Sequence, residues 1–196
     1  AWPDLGEIRH EFYRLADPSK MSKAQWHFAR PTRALEELYD CQADPMNLDN
    51  LAGYGERQEV LEKMRKQLFD HIRNSRDLGF VPEALAWDIT GGTTQWQMGR
   101  GDHADYGQAP VVAAAQVGQG TEEDFIVNLT HEVASVRYWG AVGLSGKETI
   151  SPQAVKALDA ALSDDVANVR IEAANALARH GHTDRSIPVL AVALDG

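Results

Sequence analysis

This sequence contains two histidines, separated by one glycine, whose type and spacing could bind a metal ion. His180 and His182 flank Gly181, and Asp184 follows two positions later. Two imidazoles and a carboxylate form a common ligand set for zinc. The glycine stands where a helix is expected to end, so the two rings need not converge. We therefore hold two interpretations: a metal site at His180 and His182, or a helix stop with exposed polar residues.

A second group of titratable side chains lies in residues 102–106, where two aspartates, a histidine and a tyrosine share five positions. Such a group could bind a cation or assist proton transfer. The alternative is a solvated loop in which these side chains face water and perform no chemistry.

No other pattern in the sequence predicts catalysis. Cys41 has no adjacent base, and residues 118–121 lack the lysine that follows the glycines of a phosphate-binding loop. A single cysteine also excludes an internal disulfide framework. We therefore predict no catalytic residue and no cofactor in this chain, and an independent metalloenzyme built on the two histidines is the least favoured class.

The charge balance argues against nucleic-acid partners. There are 19 Lys and Arg against 29 Asp and Glu among 196 residues, a net charge of −10. An acidic chain repels phosphate backbones, so a general nucleic-acid surface is not expected. No run of 18 apolar residues occurs, so no membrane-spanning segment is expected. Because the sequence begins without methionine and ends in a helical pattern, we expect it to be part of a longer protein or a processed product.

Three segments of different composition follow one another along the chain, and they predict its domain organisation. Residues 1–87 are rich in charged and aromatic side chains, 88–120 in glycine, threonine, glutamine and alanine, and 121–196 in alanine, valine and leucine. The middle segment is interpreted as an irregular linker with a short helix, packed on its neighbours through Trp87 and Trp96. The tryptophans are read as packing anchors, and the alternative is a sugar platform.

Two elements of the first segment are predicted from its pattern. Apolar residues recur every four positions from Val60 to Ile72, which favours a helix over 56–76. Residues 36–40 read as one short strand. Because a lone strand has no ladder partner, either the strand does not form or its partners lie in chain preceding this sequence, and we favour the second interpretation.

An internal repeat dominates the last segment. Residues 133–144 and 166–177 align at an offset of 33, with six of twelve positions identical. A third copy begins near Ile187. Each copy is predicted to be a helix pair that cannot bury its apolar face alone, so neighbouring pairs must stack.

The repeated block resembles the HEAT repeat in its short bacterial form. An acidic residue, Glu132 or Asp165, precedes a Val-x-x-Val-Arg block, and alanine and leucine follow at helical spacing. This resemblance implies a mainly α-helical α-solenoid. By analogy, Arg137 and Arg170 form a structural ladder with the acidic turn residues.

A second resemblance covers roughly residues 1–85. Three pieces are similar to the C-terminal signature of sulfatases: Glu37-Leu38-Tyr39-Asp40, then Asp44-Pro45, then Asn50-Leu51-Ala52, followed by a long helix. In that family this strand joins a small antiparallel sheet, which the resemblance implies here too. The family's Cys/Ser-x-Pro-x-Arg motif does not occur, so the catalytic machinery does not carry over.

Together these patterns predict a mainly α fold: a helical region with one short strand, then a HEAT-like array. The leading functional interpretation is the non-catalytic C-terminal region of a bacterial sulfatase-like hydrolase, with a repeat scaffold for protein interaction or domain orientation. The resemblance implies an upstream catalytic domain holding a divalent cation such as calcium, and a periplasmic or extracellular location. The alternative is a stand-alone HEAT-repeat adaptor that binds a protein partner.

Overall fold

A computed structural model describes residues 7–30, 33–101 and 108–195. The chain divides into two compact units, Ala1–Leu68 and Phe69–Gly196. The boundary falls inside the long helix that the apolar periodicity predicts. The division of the chain into segments 1–87, 88–120 and 121–196 stays a prediction.

The first unit is built from short helices and a long irregular segment. Its elements are α1 (Glu7–Arg14), α2 (Lys23–Ala29), a 3-10 turn (Gly55–Arg57) and the first part of α3 (Gln58–Ser75). Helix α2 begins at Ser22, whose hydroxyl accepts from the Gln25 N–H while the Gln25 side chain accepts from the Ser22 N–H. This reciprocal cap satisfies two backbone donors that the first turn of a helix leaves unpaired.

The short strand predicted at Glu36–Asp40 is absent, and the prediction was wrong. The described residues 33–54 contain no strand. The segment is extended, but the Asn50 side chain takes the place of a neighbouring strand: its Nδ2 donates to Glu36 O at 3.0 Å and its Oδ1 accepts from Leu38 N at 2.9 Å. One backbone bond, from Leu51 N to Leu38 O, adds to this. A side chain can satisfy these backbone groups without a β-ladder.

The second unit begins with the end of α3 and three further helices: α4 (Glu83–Thr90), α5 (Gln95–Met98) and α6 (Gln108–Gln116). Gly91 ends α4 with a φ of +52°, a conformation that favours glycine. Helix α6 matches the short helix expected near Pro110. Trp87 and Trp96 are 63% and 66% exposed, so their predicted role as packing anchors is wrong.

Five helices complete the second unit and carry the repeat: α7 (Glu122–Asn128), α8 (Ala134–Ser145), α9 (Pro152–Ala161), α10 (Ala167–Arg179) and α11 (Thr183–Asp195). Hydroxyls of Thr121 and Ser151 cap α7 and α9. Proline at the first position of α9 costs no hydrogen bond because that N–H has no partner within the helix.

The repeat helices share one apolar core. Phe125, Leu144, Leu158 and Leu177 are fully buried in a single cluster, and Leu144 and Leu177 hold the equivalent positions that the 33-residue offset predicts. Helix α10 packs against α8, α9 and α11, so consecutive pairs stack side by side. The fold is therefore mainly α-helical and α-solenoid-like in its C-terminal half. Within the described ranges, no helix has the length and apolar content needed to cross a membrane.

Glycines permit the close approach of α7 and α8. A Cβ placed on Gly143 would lie 2.3 Å from Cδ1 of Phe125, and one on Gly140 would lie 2.9 Å from the Phe125 carbonyl oxygen. Real Cβ atoms do not approach other atoms so closely. The small residues of the repeat therefore make room for a neighbouring helix.

Candidate interaction surfaces

The two repeat arginines make equivalent bonds within their own units. Arg137 Nη1 donates to the carbonyl oxygens of His131 and Glu132, at 3.1 and 3.0 Å. Arg170 Nη1 donates to the carbonyl oxygens of Asp164 and Asp165, at 2.7 and 3.1 Å. The acceptor pairs are 33 positions apart, as are the donors. Each guanidinium thus closes the turn that precedes its own helix.

Arg137 also reaches the next unit. Its Nε and Nη2 donate to the two carboxylate oxygens of Asp164 at 2.7 and 2.9 Å, and Nη2 reaches Asp165 Oδ1 at 2.8 Å. Paired donors from one planar guanidinium fix both the distance and the orientation of the carboxylate. This arrangement joins the start of α8 to the turn before α10. Its function as a spacing ladder between units stays a prediction.

Asp164 is the acidic partner of Arg137 that the alignment of the two repeat copies does not identify. Burial by itself raises the pKa of Asp164, but hydrogen bonds from Arg137 and the Val166 N–H outweigh burial and hold the pKa below its usual value. The alignment stresses Asp165, whose carboxylate is largely exposed, and Glu132, which contributes its carbonyl oxygen. The two consecutive aspartates at 164–165 are the sequence feature that could have indicated a second acidic partner for Arg137.

The two histidines proposed as metal ligands lie at the end of α10. The His180 Nε2 is 2.9 Å from the Leu144 carbonyl oxygen, and the His182 N–H donates to the Leu177 carbonyl oxygen at 2.9 Å. Gly181 between them has a φ of +87°, the left-handed geometry that ends helices. Among the described residues no three His, Cys, Asp or Glu side chains group as metal ligands. The segment 102–106 lies outside the described residues, and Cys41 is exposed.

The residues that carry the sulfatase resemblance fold the irregular segment of the first unit. Asp44 Oδ2 accepts from the N–H groups of Leu48 and Asp49, at 2.6 and 2.7 Å. Asn50 replaces a strand neighbour, as described above. These side chains therefore have a local structural role, and nothing in their geometry places them at a reaction centre.

An ion pair ties this segment to α3. Arg65 Nε and Nη2 donate to the two oxygens of Glu36, each at 2.6 Å. The Arg65 guanidinium holds the pKa of Glu36 below its usual value. This pair is not predictable from a local pattern because its members are 29 positions apart.

The first unit exposes more large apolar side chains than it buries. In its described part the buried apolar residues are Ala29, Leu38 and Leu61. The exposed ones are Tyr13, Leu15, Phe28, Leu35, Met46, Tyr54, Val60, Met64 and Leu68. Three of these form a stripe on α3 at four-residue spacing, with Val60, Met64 and Leu68 exposed by 46, 52 and 57%. We call these three residues the α3 stripe.

Comparisons with known proteins support the two resemblances to different extents. A family model described as "PBS lyase HEAT-like repeat" matches residues 169–196, which include α10 from Val169 and all of α11. The C-terminal part of the chain therefore carries a HEAT-like repeat. A stretch of 74 residues is 35% identical to an "Ulvan-active sulfatase" of Formosa agariphila. That match covers 38% of this chain and 12% of the sulfatase. No solved structure matches the chain.

Proposed function

We propose that this chain is the non-catalytic C-terminal region of a sulfatase-like hydrolase. The first unit would dock on the upstream catalytic domain, and the repeat would serve as a scaffold that orients that domain or binds a protein partner. The catalytic domain would supply the nucleophile and the divalent cation, since the sequence of this chain contains no sulfatase nucleophile motif. The resemblance favours a periplasmic or extracellular location for the whole protein.

The observation that carries this proposal is the exposed apolar surface of the first unit. Contiguous apolar surface of this kind typically marks an interface, because its exposure to water is unfavourable. The α3 stripe lies on the helix that follows the sulfatase-like signature, and the partial match to a sulfatase supplies the kind of partner. A stand-alone adaptor would have no need of this surface on a segment outside its repeat.

A binding measurement with a matched pair of variants tests the proposal. The 196-residue chain and the separately produced upstream catalytic domain are mixed, and their dissociation constant is measured by isothermal titration calorimetry. We expect Met64→Glu to weaken binding about tenfold or more, because a charge would be buried in an apolar contact. Lys66→Glu puts the same side chain at an exposed position on another face of α3, away from the stripe, and should change the constant less than about twofold.

Two results would contradict docking through this surface. One is the absence of binding between two folded partners. The other is an equal loss of affinity in Met64→Glu and Lys66→Glu, which would trace the effect to charge on α3 rather than to the stripe. Circular dichroism of each variant establishes that the helices are intact before affinity is compared.

A further inference from the structure

An open cleft in the second unit lies between the start of α8, the loop before α4, and helices α4 and α5. Its volume is about 580 Å³, within the usual size range of ligand-binding clefts. Val81 and Ala86, both buried in a small apolar cluster, lie at its base. The side walls include Trp87 of α4 and Tyr138 of α8.

Hydrogen bonds within the second unit hold the walls of this cleft. The Trp139 Nε1 donates to the Phe80 carbonyl oxygen at 2.7 Å, which fixes the loop before α4 against α8. Asp77 Oδ1 accepts from the Gly79 N–H at 2.8 Å and closes the same loop. The rings of Tyr138 and Trp139 meet edge to face with centroids 5.3 Å apart. The cleft is therefore preformed, which lowers the entropic cost of binding.

The charged groups that line the cleft are acidic. Asp77 and Glu83 contribute carboxylates, and the described lining residues include no lysine, arginine or histidine. The Glu83 Oε1 lies 3.5 Å from the Trp87 Nε1, so a carboxylate stands beside an exposed indole. On the α8 wall, burial is the main cause that raises the pKa of the Tyr138 hydroxyl, and the charge of Glu172 adds to it.

An indole face next to a carboxylate is an environment that attracts organic cations. The ring quadrupole and the carboxylate both favour positive charge, and tryptophan is the strongest of the aromatic rings in this respect. The chain already contains a cation on an indole face: the Arg100 guanidinium lies 3.9 Å from the centre of the Trp96 ring, which belongs to the neighbouring helix α5. We infer that the cleft lined by Trp87, Glu83 and Asp77 binds a lysine- or arginine-bearing segment of a protein partner.

This inference deepens the protein-binding part of the proposed function and rests on it. A neutral sugar could also stack on Trp87 and donate its hydroxyls to the two carboxylates, but it would leave their negative charge unbalanced. An anionic ligand would be repelled by them. The charge of the lining groups thus favours a basic peptide over a carbohydrate.

Nuclear magnetic resonance titration of the 196-residue chain tests the inference with defined probes. The probes are a capped tetra-arginine peptide, capped tetra-glutamine and tetra-glutamate peptides, and a neutral glucose oligosaccharide. We expect tetra-arginine to shift the Trp87 indole N–H signal in a saturable way. The affinity should fall when salt is raised from about 50 to about 500 mM, because the carboxylates are solvent-accessible.

Two pairs of variants distinguish the cleft from general attraction to an acidic protein. The variants are followed through the indole N–H signal of Trp139, which also lines the cleft. Trp87→Ala should weaken tetra-arginine binding about tenfold, while Trp96→Ala, an equally exposed tryptophan that does not line the cleft, should change it less than about twofold. Glu83→Gln should also weaken binding, while Glu123→Gln on α7 should not.

Three results would overturn the inference. In the first, tetra-arginine leaves the Trp87 signal unmoved. In the second, Trp87→Ala and Trp96→Ala lose affinity equally. In the third, the oligosaccharide binds with a salt-independent constant that depends on Trp87. The last result would make the cleft a sugar site. Each of them leaves the docking of the first unit untouched, because that docking is measured with variants of Met64 and Lys66 and a different partner.

Discussion

The Arg137 guanidinium and the Asp164 carboxylate form a two-pronged ion pair between consecutive repeat units, with N–O distances of 2.7 and 2.9 Å. Their side chains are only 13% and 9% exposed. Asp164 also accepts from the Val166 N–H at 2.9 Å, so its carboxylate is held from two sides. The pair therefore links the second helix of one unit to the turn of the next.

Removal of Arg137 should destabilise the repeat strongly. Arg137→Ala leaves the buried Asp164 carboxylate without its partner, and we expect a loss of about 3 kcal/mol in the free energy of unfolding. Urea unfolding followed by circular dichroism measures it. Arg185→Ala is the control, since the side chains of the Arg185–Asp159 pair are 44% and 35% exposed and such pairs contribute about 0–1 kcal/mol. Equal losses in the two variants would show that the buried ion pair contributes no more to the free energy of unfolding than the exposed one.

Arg170 should contribute to stability without contributing to partner binding. It donates to two carbonyl oxygens of its own turn, and charged hydrogen bonds of this kind contribute about 1.5–3 kcal/mol. We expect Arg170→Ala to lower the free energy of unfolding and to leave the tetra-arginine affinity unchanged. A variant as stable as the parent that has lost a ligand would instead assign Arg170 to a binding site.

The contact between Gly143 and Phe125 leaves no room for a methyl group. Gly143→Ala would place a Cβ 2.3–2.6 Å from three Phe125 ring atoms, and such overpacking typically costs about 1–3 kcal/mol. Gly146→Ala is the matched control at the end of the same helix, where the nearest atoms are 3.7 Å from the new Cβ and φ is −82°. We expect it to be neutral or slightly stabilising in thermal unfolding. A Gly143→Ala protein as stable as Gly146→Ala would contradict the close packing of α7 and α8.

Glu172 should make the repeat less stable at neutral pH than in mild acid. Burial raises the pKa of Glu172 above 4.5, although a bond from Asn175 and the charge of Arg179 oppose this shift. Because the folded state holds its proton more tightly than the unfolded state, the Glu172 contribution to stability falls as pH rises from 4.5 through the folded pKa.

The Glu172→Gln variant isolates this contribution. A glutamine keeps the oxygen that accepts from Asn175 and removes the buried charge. We expect the variant to be more stable than the parent at pH 7, with a difference that shrinks below pH 4.5, in urea unfolding at several pH values. Glu148→Gln, at an exposed position, serves as the control for loss of one charge. A difference that stays constant with pH would show that burial of Glu172 has no energetic consequence.

The repeat was predictable from sequence because its packing residues are local and recur. Leu144 and Leu177 occupy the same place in two copies of one pattern, and a helix pair needs only its immediate neighbours to bury them. The own-turn bonds of the arginines follow the same 33-residue offset. The pairing of Asp164 with Arg137 was not predictable because the burial of Asp164 depends on the direction of the turn. In addition, the preceding repeat copy has His131 at the equivalent position.

The first unit was less predictable because its features depend on distant residues. Residues 36–40 have the composition of a strand, but the Asn50 side chain, not a neighbouring strand, supplies their hydrogen bonds. The α3 stripe reads from sequence as a buried helix face, yet it is exposed in the structure. Periodicity identifies which face of a helix is apolar and does not identify what covers that face.

Docking of the first unit is tested most directly by hydrogen–deuterium exchange over residues 58–68. The amides of this helical segment are compared in the 196-residue chain and in a longer protein that includes the upstream catalytic domain. If that domain covers the α3 stripe, the longer protein should exchange these amides at least about tenfold more slowly, while exchange in α8 and α10 stays the same. Equal exchange over 58–68 in the two proteins would contradict the proposal that this surface docks on a sulfatase-like domain.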